Sequence, residues 1–251
     1  MACNEGFVWS LSLTLVFVGV MFFLRQRTVR TRYGRYLEPS VVWLVPGRLA
    51  WFVQELPAFL IPAVMVLTAQ APSRLGRSLL LCTFCLHYFQ RTFIFSLLIN
   101  GHPLALKTVV SAIVFCSING LVQGHHLLHC FQYTQTWLTD ICLVIGLILF
   151  YLGMAINIHS DHILRCLRKP GELTYRIPTG GLFDYVSGAN YFGEIIEWLG
   201  FAIATGSFPA ISFAFFTSCS IGPRACHHHR FYKEKFSDYP PSRKALIPFI
   251  F

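Results

Sequence analysis

The chain has 251 residues, of which 55% are hydrophobic and only 12% charged, with a formal net charge of +9. Soluble domains carry roughly 25% charged residues, so this composition and a mean hydropathy of +0.56 exclude an ordinary soluble fold. They predict an all-α integral membrane protein in one domain over residues 1–251, because strands in lipid need a closed barrel whose alternating pattern is missing here.

At about 20 apolar residues per span, seven transmembrane helices are predicted, near 7–24, 49–69, 78–98, 104–129, 141–159, 189–206 and 208–224. The first has its basic cluster after it and no clear small-residue cleavage site, so it reads as a retained signal anchor. Arg25, Arg27, Arg30, Arg32, Arg35 and Arg48 follow it. The second span opens with Trp51 and Gln54-Glu55. The third carries His87, Tyr88 and Arg91, with His87 and Arg91 on one face. Asn119 and Gln123 share a face of the fourth.

The fifth span ends on Asn157, His159 and Asp161, and a long cytosolic loop over 160–188 follows. Pro170-Gly171, Pro178 and Gly180-Gly181 make that loop irregular, and Arg165, Arg168, Lys169 and Arg176 make it basic. The sixth span begins with Asn190, Glu194 and Glu197 at i, i+4 and i+7. The tail 225–251, with Arg230, Lys233, Lys235, Arg243 and Lys244, is too polar to span.

With seven spans the three basic segments and Lys107 fall on one side, and the other side receives only Arg74 and Arg77. The positive-inside bias then sets the N-terminus in the lumen and the C-terminus in the cytosol. The net charge reflects this bias and anionic ligands; no nucleic-acid partner is expected.

Ionisable groups inside a membrane are costly and usually mark a site. Glu55, Tyr88 and Arg91 either polarise a substrate carbonyl in a dry pocket, or Glu55 and Arg91 form a structural ion pair. Asn157 and Asp161 with Asn190, Glu194 and Glu197 bracket the basic loop. Amides and carboxylates suit ribose hydroxyls and a carboxamide, and Arg168, Lys169 and Arg176 suit phosphates; the alternative is helix capping and pairing with the loop. The segment 157–198 is read as a cofactor site at a membrane face.

The nine cysteines are odd in number and scattered, which argues against a disulfide framework. Cys82 and Cys85 read as small apolar filler. His125-His126-Leu-Leu-His129, His159-Ser-Asp-His162 and His227-His228-His229 evoke di-iron histidine boxes, but the first set lies at the lumenal end of its span and the others are cytosolic, so no metal is expected. Gly180-Gly181 is not a G-x-G-x-x-G turn, so any nucleotide binds by a non-Rossmann route.

Several runs carry a resemblance to a known family. They are Trp51 to Pro57, Leu86 to Thr92, Gly153 to Asp161, Leu167 to Glu172, Arg176 to Phe183, Ala189 to Trp198, His227 to Tyr232 and Arg243 to Phe251. From about residue 49 onward the chain resembles the steroid 5-alpha-reductases, and their type 2 branch in particular. The resemblance implies a seven-helix enzyme of the endoplasmic reticulum membrane that reduces 3-oxo-Δ4 steroids with NADPH. It implies Glu55 and Tyr88 at the 3-keto oxygen; Trp51, Gln54, Arg91 and Ser111 are taken as the substrate-binding candidates beside them. It implies Asn157, Asp161, Arg168, Tyr175, Arg176, Asn190, Glu194 and Tyr232 around NADPH; Glu197 and His228 are added as cofactor-binding candidates. The partners are then a steroid arriving from the bilayer, NADPH from the cytosol and membrane lipid, with no obligate protein partner.

Phe95 stands where the family pattern has tyrosine, Ser111 where it has arginine, and Asn100-Gly101-His102 lacks an arginine. These departures bear on substrate affinity and inhibitor profile. Two alternatives stay open from the residues alone: another lipid-active membrane reductase of polyprenol or enoyl-thioester type, or a non-enzymatic sterol-binding seven-helix protein.

Overall fold

Apolar runs of this length become helices because a backbone in lipid must satisfy its own N–H and C=O groups. A computed structural model describes residues 3–29, 40, 43–69, 75–132, 140–167 and 175–251. Its elements in chain order are α1 (Glu5–Thr28), β1 (Leu44–Val45), α2 (Gly47–Thr68), α3 (Leu75–Phe89), α4 (Ser96–Leu98), β2 (Leu104–Ala105), α5 (Leu106–His125), α6 (Ile141–Cys166), α7 (Ala189–Thr205) and α8 (Phe208–Lys235). A π-helical turn, Gln90–Phe95, joins α3 to α4, and a second, His126–Cys130, ends α5. The strands form one two-residue antiparallel pair, Leu44 opposite Ala105 and Val45 opposite Leu104.

Every predicted apolar run is helical over most of its length. Four stretches, Glu5–Thr28, Gly47–Thr68, Leu106–Cys130 and Ile141–Cys166, are long and apolar enough to cross a membrane, so the protein is an all-helical, multi-pass membrane protein. Two boundaries differ from expectation. Helix α6 runs on to Cys166, so the expected loop over 160–188 starts as helix, and α8 runs on to Lys235 through the first part of the expected tail. Hydropathy marks where side chains meet lipid, whereas a helix continues as long as its backbone bonds close.

The described chain divides into two units. The first comprises Met1–Thr14 and Arg32–Asp140, the second Leu15–Thr31 and Ile141–Phe251. In the first, α2 packs on α5, where a Cβ at Gly120 would lie 3.0 Å from the Ala58 Cα. Here the cysteine reading is corrected: Cys3 and Cys130 form a disulfide across 127 residues. Beside it the Asn4 backbone N–H donates to His125 Nε2 at 3.3 Å. The other cysteines, Cys82 and Cys85 among them, are free thiols.

In the second unit α6 and α7 meet along a glycine seam. Gly146 and Gly153 on α6 face Gly200 and Gly193 on α7, and a Cβ at Gly193 would lie 2.6 Å from the Asn157 backbone nitrogen. Small residues let helix backbones approach where lipid supplies no hydrophobic drive to associate. Trp198 lies 6.0 Å from Phe150, 5.9 Å from Phe201 and 4.4 Å from Phe213, ring to ring, and fills the core beside this seam. The chain after α8 returns to the start of α7: Ser187 N–H donates to Lys244 O at 2.9 Å and Gly188 N–H to Ala245 O at 3.0 Å.

Candidate active site

In the first unit, α2, α3 and α5 bring a polar group into an apolar surrounding. Glu55, half-buried on α2, accepts from Gln54 Nε2 at 3.4 Å and from the Cys116 thiol at 3.8 Å. Tyr88, 3% exposed on α3, lies between the rings of Phe84 (4.9 Å) and His87 (5.0 Å). Its oxygen accepts from Asn119 Nδ2 at 3.0 Å, and Asn119 Oδ1 accepts from Gln123 Nε2 at 3.4 Å. The π turn Gln90–Phe95 carries Arg91, which is buried with its guanidinium 4.9 Å from the Trp51 ring centroid and 4.1 Å from that of Phe95. Trp51 and Phe95 meet edge to face at 5.1 Å. Delocalised guanidinium stacks well on aromatic faces, so Phe95 acts as a wall for Arg91. Single π turns recur at functional sites.

Five of the six residues expected at the carbonyl and steroid therefore lie on α2 and the α3 region. Ser111 does not join them: it is exposed on α5, with its hydroxyl donating to Lys107 O at 2.8 Å.

The second unit gathers most of the expected cofactor residues. Asn157 Nδ2 donates to Asn190 O at 2.9 Å, and Asn190 Nδ2 donates to Asp161 Oδ1 at 3.2 Å, so one amide–carboxylate chain links α6 to the first turn of α7. The α6–α7 glycine seam makes that approach possible. Glu194 is half-buried one turn along α7, and Glu197 is fully buried. Tyr191 stacks on His228 at 5.8 Å and is bonded to its Nε2 at 3.2 Å. Tyr175 packs on Phe231, with Lys235 Nζ 5.0 Å over its ring, and Arg176 is exposed beside it. Tyr232 is buried against Tyr239, stacked at 5.6 Å. Arg168 falls outside the described residues.

A clamp that sequence reasoning missed closes this end. Arg243, nearly buried, donates to Pro178 O at 2.8 Å, lies 3.7 Å from Asp184 Oδ1 and sits 5.5 Å over the Tyr239 ring. Asp184 Oδ1 in turn accepts from Gly180 N–H at 2.8 Å, where φ is +91° and only glycine fits without strain. Ser187 Oγ lies 2.6 Å from both His229 Nδ1 and the Tyr239 hydroxyl. Burial, aided by Lys233 and Lys244, lowers the His229 pKa below its ordinary value, and burial raises that of Tyr239. His228 and His229 of the triplet thus supply ring contacts and hydrogen bonds.

The family model described as 3-oxo-5-alpha-steroid 4-dehydrogenase matches residues 102–251. The chain is 52% identical to 3-oxo-5-alpha-steroid 4-dehydrogenase 2 of Sus scrofa over 252 residues, which is 99% of this chain and 98% of that protein. The Homo sapiens type 2 protein gives the same identity and coverage, and the Mus musculus type 1 protein is 48% identical over 93% of each chain. The chain belongs to the 3-oxo-5-alpha-steroid 4-dehydrogenase family. As a member it is an oxidoreductase of steroid metabolism, which implies a nicotinamide cofactor.

The sequence reading named Glu55 and Tyr88 but did not connect Cys116 and Asn119, which hydrogen-bond to them, with either one. Cys116 was not singled out in the sequence. Asn119 and Gln123 were seen to share a face, but nothing in the sequence points them at Tyr88. Arg243 read as one of the basic charges of the tail.

Proposed function

We propose that this protein reduces the C4–C5 double bond of 3-oxo-Δ4 steroids, of the testosterone to 5α-dihydrotestosterone type, with NADPH. The observation that carries the mechanism is the buried Tyr88 hydroxyl, oriented by Asn119, on the same unit as the Glu55 carboxylate. Reduction of a conjugated ketone builds negative charge on the 3-keto oxygen. A fixed donor in a dry site stabilises such charge far better than water does. Tyr88 donates to that oxygen and Glu55 backs it, while Trp51, Gln54 and Arg91 shape the pocket.

The second unit's donor set fits a dinucleotide. Asn157, Asn190 and Asp161 offer amides and a carboxylate for ribose and carboxamide, Tyr175 and His228 offer ring faces, and Arg176 offers an exposed guanidinium for phosphate. Glu194, Glu197, Tyr232 and Arg168 complete the proposed set. NADPH, when bound, supplies the hydride. The residues hold it in one orientation and keep water out.

We place the protein in the endoplasmic reticulum membrane with seven spans, a lumenal N-terminus and a cytosolic C-terminus, and the steroid arrives from the bilayer. The Lys/Arg asymmetry supports this orientation. The Cys3–Cys130 disulfide supports it too, since such bonds persist in oxidising compartments and both cysteines fall on the proposed lumenal side.

Paired substitutions test the carbonyl device. Tyr88→Phe removes one oxyanion donor, a loss worth roughly 10²–10³ in rate, and Glu55→Gln removes the ionisable group while keeping its shape. Both are expected to lower turnover with NADPH binding retained. Near-normal turnover in both would eliminate the pair as the electrophile.

A further inference from the structure

We propose that Asn119, held by Gln123, is the positioning residue that makes Tyr88 a hydrogen-bond donor toward its ligand. This rests on the reading of Tyr88 as the carbonyl donor. Helix α5 presents Cys116, Asn119 and Gln123 at i, i+3 and i+7, a single stripe, and all three are at most 3% exposed. A fully buried primary amide is costly if unmatched, so this stripe persists in an apolar helix through its partners. Those partners are the two proposed carbonyl residues: Cys116 donates to Glu55, and Asn119 reaches Tyr88.

The direction of the chain follows from its far end. Gln123 Nε2 faces Asn119 Oδ1 at 3.4 Å, so that oxygen is the acceptor. The planar amide then turns its NH₂ group onto the Tyr88 oxygen at 3.0 Å. A phenol has one proton. With its oxygen accepting from Asn119, Tyr88 directs that proton elsewhere than to Asn119. Hydrogen bonds in series polarise one another, so the relay Gln123 to Asn119 to Tyr88 strengthens the last donor and fixes its aim.

The experiment is a double-mutant cycle on the full-length protein in detergent. It reads kcat and KM for a 3-oxo-Δ4 steroid and for NADPH, with thermal melting alongside. Asn119→Leu is expected to lower kcat about tenfold, less than loss of the whole donor, with the KM for NADPH unchanged. In the Tyr88→Phe background the same change is expected to cost nothing further, because no hydroxyl remains to aim. Gln123→Leu should give a smaller loss that vanishes in the same background, and it serves as the test where Asn119→Leu fails to fold. Equal fold losses in both backgrounds would mean packing alone and overturn the proposal. Wild-type kcat in Asn119→Leu with an impaired Tyr88→Phe overturns it while leaving the role of Tyr88 standing. Wild-type kcat in Tyr88→Phe overturns both.

Discussion

Replacing Arg243 with alanine removes the clamp between the C-terminal segment and the loop ahead of α7. The bond to Pro178 O is charge-assisted and buried, worth about 1.5–3 kcal/mol. The Tyr239 face adds about 0.5–1 kcal/mol. The ion pair adds little, about 0–1 kcal/mol, because the Asp184 side chain is 51% exposed and its pair spans 3.7 Å. The expected loss is therefore about 2–5 kcal/mol, read as a drop of several degrees in the melting midpoint in detergent. Because the clamp orders residues 178–188 next to Asn190, the KM for NADPH should rise more than that for steroid. Asp184→Asn is the control and should cost less than about 1 kcal/mol. If Asp184→Asn destabilises as much as Arg243→Ala, the carbonyl bond is not the source; if Arg243→Ala melts like wild type, the clamp does not bear on stability.

Three further outcomes are expected. A 2′-phosphate contact from the basic set including Arg176 is worth roughly 1.5–3 kcal/mol, so NADPH should be preferred over NADH by about tenfold or more, and Arg176→Ala should erode that preference; equal use of NADH in the wild type contradicts it. The lowered His229 pKa means that below its ordinary value of 6.5 the unfolded chain binds a proton that the folded chain resists. Stability should therefore be full above that pH and fall below it, with a shallower fall in His229→Gln, and a pH-independent melting midpoint would count against this. A glycosylation tag at the N-terminus should be modified and one after Phe251 should not; the opposite pattern would invert the topology.

The helical runs were legible because lipid permits few other solutions, and Glu55 and Tyr88 were legible because polar groups inside such runs are costly. What surrounds them was not. The Cys3–Cys130 bond joins residues 127 apart, and an odd cysteine count hides a single pair. Asn119 shows its face in the sequence but not its neighbour, since Tyr88 lies on another helix. Arg243 looks like any cytosolic arginine until its burial against Pro178 and Tyr239 is seen. The ends of α6 and α8 escaped because polarity stops hydropathy before it stops a helix. At Ser111, which stands where the family pattern has arginine, the hydroxyl bonds back to its own helix at Lys107, a contact the sequence does not show.

The most direct measurement is turnover of testosterone by the purified wild-type protein with NADPH. The product is identified by mass, and its enone is followed by ultraviolet absorbance. The account predicts a product two hydrogens heavier, with the 3-keto group intact and the conjugated absorbance lost, and no turnover without NADPH. A product reduced at the 3-keto group with its C4–C5 double bond retained, or none at all, would contradict it.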